Sequence, residues 1–585
     1  MSKSIAIVGA GVICSIGTDK CHVIDSLKNR RSGIGEITHL PSTHHELPVG
    51  EVNLSNEEMK AMLGVKGDKE ISRTVLLGTI AIKEAIKEAG LTKHILQGKK
   101  VVLISGTTVG GMDVTERHFS QMLVDDKEAG YIVNHECGRV TSQIAELCDL
   151  ECELVTISTA CSSALNAIIL GTKMLLLNQV DYVLAGGCEA LSSFHLNGFN
   201  SLLILDKEPC KPFDAKRNGL NLGEGAAYVC LQRSEDANAS KILGYIGGYG
   251  NRCDAFHQTA TSPDGEGAFL AMKDALEMSG LSISDINYVN AHGTGTPDND
   301  QSESKALIRL FGNNLPPISS TKSFTGQTTS ASGSIETVIS LLANENGFIP
   351  ANLRYVNKDV NCIEPSLGTD NTPIRNVLCN SFGFGGNDSA VILTSEECEL
   401  ICPHMVDNSI LLADDEIHSV DDLAELCNFV PKIEVRRMSK LMKAALLTTM
   451  RTLLKAGVER PDAIIIGTRF GMLEQGEKIL LQLHENGEEG VSPTLFMQST
   501  HNTIAGALAI RLKCKGYNIT FSQGEDSLCL AIEDAKRLIS EGKACYVLVG
   551  IHDYCPELFR SLYKESIGQE TDEIYSRSIL IAKKA

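Results

Sequence analysis

Cys161 stands in a setting that suits a nucleophile. The stretch Cys152-Glu-Leu-Val-Thr-Ile-Ser158-Thr-Ala-Cys161-Ser-Ser-Ala-Leu-Asn166 opens as an apolar, β-branched run (Leu154, Val155, Ile157). It passes through small residues into a segment with Leu165, Ile168, Ile169, Met174 and Leu175 at helical spacing. This reads as a buried strand, a sharp turn and a helix over 162–177, with Cys161 at the helix start. Unpaired backbone N–H groups and the positive end of the helix dipole favour a thiolate there, and small neighbours let a substrate approach the sulfur. A cysteine so placed can carry a thioester. The chain has 19 cysteines, and one taken at random is more often core than reactive, so only the setting separates Cys161 from the rest.

Three later stretches run from a strand into a Gly- or Thr-rich loop. They are Asn287-Tyr-Val-Asn-Ala-His292-Gly-Thr294-Gly-Thr296, Ile318-Ser-Ser-Thr-Lys322-Ser-Phe-Thr-Gly326-Gln327 and Asn380-Ser-Phe-Gly-Phe384-Gly-Gly386. In parallel α/β sheets such loops gather at the C-terminal ends of strands, where ligands bind. His292, Lys322 and Phe384 are therefore expected to converge on Cys161. Singly, each has an ordinary explanation as a hydrogen-bonded structural His, a solvated Lys and a core Phe. Their matching contexts carry the expectation.

The elements that must position these residues follow a repeated βα grammar. Ser72 to Gly90 is an amphipathic helix, Lys100 to Ser105 a buried strand leading into Gly106-Thr-Thr-Val-Gly110-Gly111, and Tyr182 to Gly187 another buried strand. Such units predict a mostly parallel sheet covered on both faces. The first strand, Ile5-Ala-Ile-Val-Gly9-Ala-Gly11-Val-Ile-Cys14, starts like a dinucleotide fingerprint but has Cys14 at the third glycine position, so no nicotinamide or flavin cofactor is expected.

At 585 residues the chain has room for three to four domain-sized units. A hydrophobic share of 43% and a charged share of 22% are ordinary for a globular protein. The formal net charge of −20 argues against nucleic acid as partner. Cysteines without paired CxxC modules fit a reducing cytoplasm, dispersed Cys and His show no metal-ligand spacing, and no apolar run suits membrane insertion.

Taken together, Thr159-Ala-Cys161-Ser-Ser-Ala, Lys211-Pro-Phe-Asp214 with Gly223-Glu-Gly225, Asp254-Ala-Phe-His257, Asn290-Ala-His292-Gly-Thr-Gly-Thr296, Thr321-Lys322-Ser-Phe-Thr-Gly326 and Asn380-Ser-Phe-Gly-Phe-Gly-Gly386 occur in one order. That order resembles the β-ketoacyl-[acyl-carrier-protein] synthases, the thiolase-fold condensing enzymes of type II fatty-acid and polyketide synthesis, over roughly residues 3–396. The resemblance implies a thiolase-like, layered α-β-α-β-α fold of two pseudo-repeated halves, 1–250 and 251–396. It implies a decarboxylative Claisen condensation of a Cys161-bound acyl group with a malonyl-type extender. Both would arrive as thioesters of an acyl carrier protein whose 4′-phosphopantetheine arm belongs to the substrate, with no cofactor of the enzyme's own. The N–H groups of Cys161 and Phe384 match oxyanion-hole donors, Phe384 also a gate, Thr294 and Thr296 the pantetheine contacts, and His292 the donor to the forming enolate. Lys322 matches the family lysine, with Glu303 as its expected charge partner. A homodimer, or a heterodimer with a related subunit, is implied as well.

Two departures from the family pattern stand out. Gln327 occupies the place of a usual second histidine; its NH₂ can donate a hydrogen bond but cannot exchange a proton near neutrality. A related branch of these enzymes uses His with Asn at this step, so Cys161, His292 and Gln327 can serve the same reaction. Impaired decarboxylation, in a chain acting as a chain-length-factor-like partner, is the competing reading. Asn387-Asp388 replaces the usual Thr-Asn.

Beyond an expected linker at 397–408, the remaining residues 409–585 repeat the beginning. Thr520-Phe-Ser522-Gln-Gly-Glu525-Asp-Ser527 falls on Thr156-Ile-Ser158-Thr-Ala-Cys161-Ser-Ser163, and Tyr546-Val-Leu-Val-Gly550 on Tyr182-Val-Leu-Ala-Gly186, at a shift of 364 residues. Glu525 stands at the nucleophile's place, and no second His-Gly-Thr or Thr-Lys-Ser loop follows. A third, degenerate thiolase-like half-domain is expected, either as a packing module or as a counterpart of inactive partner subunits.

Overall fold

The computed structural model describes residues 2–67, 70–401, 408–568 and 570–584. Fifteen strands join into one sheet. In chain order they are β1 (Ile5–Cys14), β2 (Val101–Gly106), β3 (Glu153–Ile157), β4 (Tyr182–Glu189), β5 (Gly225–Arg233), β6 (Gly244–Cys253), β7 (Tyr288–Asn290), β8 (Ile318–Ser319), β9 (Asn376–Gly383), β10 (Asn387–Thr394), β11 (Ser409–Ile417), β12 (Ala463–Gly467), β13 (Asn518–Phe521), β14 (Tyr546–Tyr554) and β15 (Ile574–Lys583). Their spatial order is β11-β15-β14-β12-β13-β3-β2-β4-β5-β1-β6-β10-β9-β7-β8.

That order is one five-stranded pattern used three times: β3-β2-β4-β5-β1, β8-β7-β9-β10-β6 and β13-β12-β14-β15-β11. The expectation of a mostly parallel sheet needs correcting at one strand of each copy. β5 runs against both β4 and β1, as β10 does against β9 and β6 and β15 against β14 and β11. The chain from β4 to β5 makes no full helical crossover to the same side, so the returning strand inserts antiparallel and the sheet is mixed. Of the expected linker, 402–407 lies outside the described residues, and Glu399–Leu400 pairs with Ser2–Lys3 in a small separate sheet.

Helices cover the sheet: α1 (Arg73–Ala89), α2 (Ser163–Leu176), α3 (Ser193–Ser201), α4 (Ser332–Asn346), α5 (Lys440–Ala456) and α6 (Ser527–Ser540). α1 and α5 share one grammar. Each is capped by a serine side chain, Ser72 or Ser439, and each ends at a left-handed glycine, Gly90 or Gly457. α2 is buried from Ser163 to Leu175 because the sheet lies on one side and α4 on the other. Gly333 permits the close crossing: a Cβ there would sit 2.7 Å from Leu165 Cβ. In the third copy, α6 has no such cover. Cys529 and Glu533, at the places of Leu165 and Ile169, are exposed, and Glu533 pairs with Lys536 on the surface. A polar face there spares the half-domain a second layer.

The first and third copies meet edge to edge. Ile157 of β3 lies opposite Phe521 of β13. Ser158 N–H donates to Thr520 O at 3.0 Å, and Ser522 N–H to Thr156 O at 2.9 Å. A shift of 364 residues carries donor 158 forward to donor 522 and acceptor 520 back to acceptor 156, so the two bonds exchange, which is the signature of a local two-fold axis. Two side-chain contacts join equivalent positions across it: Ser120 Oγ to His484 Nδ1 at 2.8 Å and Cys137 Sγ to His501 Nε2 at 3.5 Å. A buried ion pair, Lys173 Nζ to Asp534 Oδ1 at 2.7 Å, closes the junction, with Tyr517 OH donating to the same carboxylate.

Candidate active site

The nucleophile turn is built as β3 and α2 require. Ala160 adopts a left-handed φ of 53°, which reverses the chain and sets Cys161 before the helix. Ser163 Oγ donates to Ala160 O at 2.6 Å and accepts from Thr159 N–H at 2.9 Å, holding that strained turn. Asn387 supplies the cross-tie: its Oδ1 accepts from Ser162 Oγ and from Asn166 Nδ2, both at 2.8 Å. Asn166 Oδ1 in turn accepts from Asn251 Nδ2 at 2.8 Å, and Asn251 Oδ1 accepts from Asn518 N–H at 2.9 Å. One polar network thus runs from the nucleophile helix into the third copy. Asn387, one of the residues that depart from the expected pattern, is a member of it.

Cys161 is buried, and burial pushes its thiol from 9.0 up to about 12, with the nearby Lys322 charge opposing. The expected thiolate is therefore not the resting form. A climb of that size is worth about 4 kcal/mol, whereas a helix N-terminus supplies about 0.3–1 kcal/mol, so desolvation wins. Cys161 O accepts from Ser381 Oγ at 2.9 Å. Gly383 must lack a side chain, since a Cβ would lie 2.7 Å from Thr159 O and 3.2 Å from Cys161 N. That contact brings the loop bearing Phe384 onto the turn. Phe384 stacks on Phe199 with ring centroids 5.8 Å apart, and its carbonyl accepts from Asn502 Nδ2 of the third copy at 2.7 Å.

A cavity of about 360 Å³ brings Cys161, His292, Gln327 and Phe384 together, with Thr294 and Thr296 in the same wall. The two threonine hydroxyls lie 2.9 Å apart. His292 is buried with Nδ1 unpartnered among the described residues. Burial first and the Lys322 charge second hold its imidazole well below the usual range, so it is neutral. Gln327 Oε1 accepts from Ser332 Oγ at 2.6 Å, and this engages the amide oxygen and leaves its NH₂ for the cavity. Asp388 also lines the cavity, its carboxyl pushed well up by burial and by Asp254 beside it.

Glu303 is not the partner of Lys322. Its carboxylate accepts from the N–H groups of His292 at 2.9 Å and Gly293 at 2.7 Å and from Asn380 Nδ2 at 3.1 Å, clamping the histidine turn. Lys322 Nζ pairs instead with Glu336 on α4, both side chains almost wholly buried. Burial raises the Glu336 carboxyl to about 7, with Lys322 pulling it back. Glu525, at the nucleophile's place in the third copy, is 86% exposed beside Arg469. Among the described residues no group of three or more His, Cys, Asp or Glu is placed to hold a metal ion, and no helix is long and apolar enough to cross a membrane.

Comparison with known proteins bears on the family and the fold. The family model for the beta-ketoacyl synthase N-terminal domain matches residues 2–237, that for the C-terminal domain matches 243–356, and a further N-terminal-domain model matches 413–576. "Nodulation protein E" of Rhizobium meliloti is 31% identical over 406 residues, covering 67% of this chain and 99% of the relative. The chain belongs to the β-ketoacyl synthase family. Within it, "3-oxoacyl-[acyl-carrier-protein] synthase 2" of Coxiella burnetii is 30% identical over 413 residues, covering 67% of this chain and 98% of the relative. Among solved structures, "The ishigamide ketosynthase/chain length factor" matches 68% of this chain and 100% of that one, with 28% identity and a TM-score of 0.63. "PfaC Keto synthase-Chain length factor" covers 100% of this synthase-family chain and 78% of that one, with a TM-score of 0.76 at 17% identity, a likeness of fold.

For this β-ketoacyl synthase family member, sequence reasoning missed Glu336, Ser332 and the residues that the third copy lends to the site. Met497 lines the main cavity, and Phe496 packs edge-on against Phe199 with centroids 5.1 Å apart. Glu336 had no motif around it. Phe496 and Met497 had no sequence signal, because only the edge pairing of β3 with β13 brings them near.

Proposed function

We propose that this chain loads an acyl group onto Cys161 and condenses it with a malonyl-type extender, both delivered on an acyl carrier protein. The observation that carries the reading is the convergence of Cys161, His292 and Gln327 in one cavity with Phe384 at its side. The names of the relatives, 3-oxoacyl-[acyl-carrier-protein] synthases, support the substrate class. The resting thiol gives up its proton on acylation, and neutral His292 is the base in that cavity. The N–H groups of Cys161 and Phe384 then hold the oxyanion of the tetrahedral intermediate. As the extender loses CO₂, His292 and the Gln327 NH₂ donate to its thioester oxygen while the enolate forms. Burial, with the Lys322 charge adding to it, keeps His292 uncharged, Glu303 fixes its backbone, and Thr294 and Thr296 meet the pantetheine arm.

The C-terminal copy takes the place of a partner subunit. It occupies the β3 edge about a local two-fold axis and sends Phe496, Met497 and Asn502 towards the acyl side of the site. Neighbouring structures that pair a ketosynthase with a chain length factor support this role. Such a protein would work as the single chain.

The test offers purified protein an acyl-carrier-protein thioester and malonyl-carrier protein, and follows mass gain at Cys161, CO₂ release and β-ketoacyl product. All three are expected from the chain alone and are lost in Cys161→Ala. Acylation without CO₂ release would refute condensation as the function.

A further inference from the structure

Behind Cys161 lies a separate pouch of about 20 Å³, room for roughly one water-sized group. Phe194, Phe199 and Phe496 are its apolar lining, and Thr108, His195 and Thr329 are among its polar lining, with Ser499 and Thr500, whose hydroxyls are already paired. Thr108 and Thr329 differ. Their hydroxyls are buried without a hydrogen-bond partner among the described residues, Thr108 standing beside the Glu189 carboxyl, and the His195 ring, 3% exposed, packs edge-on against Phe194 and Phe199. Thr329 also holds a left-handed φ of 46°, a conformation that a β-branched residue keeps only where its surroundings impose it. Burial lowers His195 to about 4, leaving a neutral ring with one donor and one acceptor. Native structures seldom leave such groups unpaired, because each has lost its water for nothing.

We propose that the acyl group accepted by Cys161 carries an uncharged oxygen, a hydroxyl or a carbonyl, one or two carbons beyond the thioester, and that Thr108, His195 and Thr329 form its subsite. The inference rests on the reading of Cys161 as acyl acceptor. An alkyl chain would satisfy the phenylalanines and leave two buried hydroxyls unmatched. A carboxylate would find no cation, since no charged side chain lines the pouch. An uncharged oxygen both fits and pairs. Loading itself is thioester exchange: the Cys161 Sγ–carbon bond forms, the donor's carbon–sulfur bond breaks, and the departing thiolate takes the thiol's proton. The oxygen further along the acyl group is bound, not consumed.

The test uses the full chain and synthetic pantetheine thioesters in pairs of equal size, propionyl with glycolyl and butyryl with 3-hydroxypropionyl, and acetyl as reference. Mass gain on Cys161 is followed in time, and each rate is divided by that of the same thioester with free cysteine to remove intrinsic reactivity. The hydroxylated member is expected to load about tenfold faster or more, the effect of one buried hydrogen bond. In Thr108→Val and His195→Phe the ratio should fall towards one, and Thr108→Ser should retain it. Acetyl loading with equal rates inside both pairs of the unsubstituted chain, or faster alkyl members, would overturn the polar subsite alone. Failure of acetyl to load would overturn the acyl-acceptor reading and the subsite with it.

Discussion

Ile157 and Phe521, 364 positions apart, face each other in antiparallel register where β3 meets β13. They are equivalent residues of two copies of one half-domain, so the chain contains its own two-fold interface. The strand that leads into the nucleophile turn is the strand that makes this contact. Whatever holds the third copy in place therefore also holds the floor of the active site.

The buried Lys173–Asp534 pair tests that coupling. Removing one member leaves the other charge desolvated and alone, at a cost of about 3–5 kcal/mol. Asp534→Ala is expected to lower the denaturant midpoint accordingly, and Lys173→Met with Asp534→Leu to recover most of the loss. Equal destabilisation of the single and double variants would show that the charge is not what matters.

Cys161 should behave as a suppressed thiol. With its titration moved from 9.0 to about 12, the thiolate fraction rises tenfold per pH unit through the whole range from 7 to 10. Alkylation of Cys161 by iodoacetamide, read by peptide mass spectrometry, is expected to climb without levelling over that range, whereas an ordinary thiol flattens near 9. A plateau by pH 9 would show that the helix terminus outweighs burial.

Gln327 is expected to serve decarboxylation more than acylation. Loss of one donor to a developing oxyanion commonly costs about 100-fold or more. Gln327→Ala should slow CO₂ release from malonyl-carrier protein by that order, and Ser332→Ala, which only frees the amide to rotate, by less. Release of CO₂ at an undiminished rate in Gln327→Ala would remove Gln327 from the mechanism.

Phe496 lines the pouch beside Cys161, and its ring presses so closely on α3 that a Cβ at Gly198 would lie 2.1 Å away. Phe496→Ala should let longer acyl groups load on Cys161, at about 3–5 kcal/mol of stability for the cavity it leaves. The longest acyl chain seen by intact-protein mass spectrometry is the measure. An unchanged limit would place the length stop elsewhere.

Much of this site could be read before any coordinates. Cys161, His292 and Phe384 share a cavity, as their strand-end loops implied, with Gln327, Thr294 and Thr296, which the family resemblance pointed to, whereas Lys322, expected to converge with them, does not line it. Lys322 and Glu303 show where such reading stops. Both Glu303 and Glu336 are buried acids within reach along the chain, and the choice between them follows from hydrogen-bond supply. Glu303 is saturated by backbone N–H groups at His292 and Gly293, whereas Glu336, on α4 beneath the lysine, has few donors besides Lys322 Nζ. The mixed sheet was likewise hidden, since β5 and its neighbours are equally apolar whichever way they run.

The amino-acid sequence by itself determined the chemistry on offer and the repeated plan, because nucleophile turns, glycine loops and a shift of 364 residues are local patterns of residue type. Only the tertiary structure decided where the third copy sits, since β3 and β13 join through backbone N–H and C=O groups that every residue carries alike. It also decided the protonation of Cys161 and His292. Desolvation is set by everything packed around a group, and no stretch of chain contains that information.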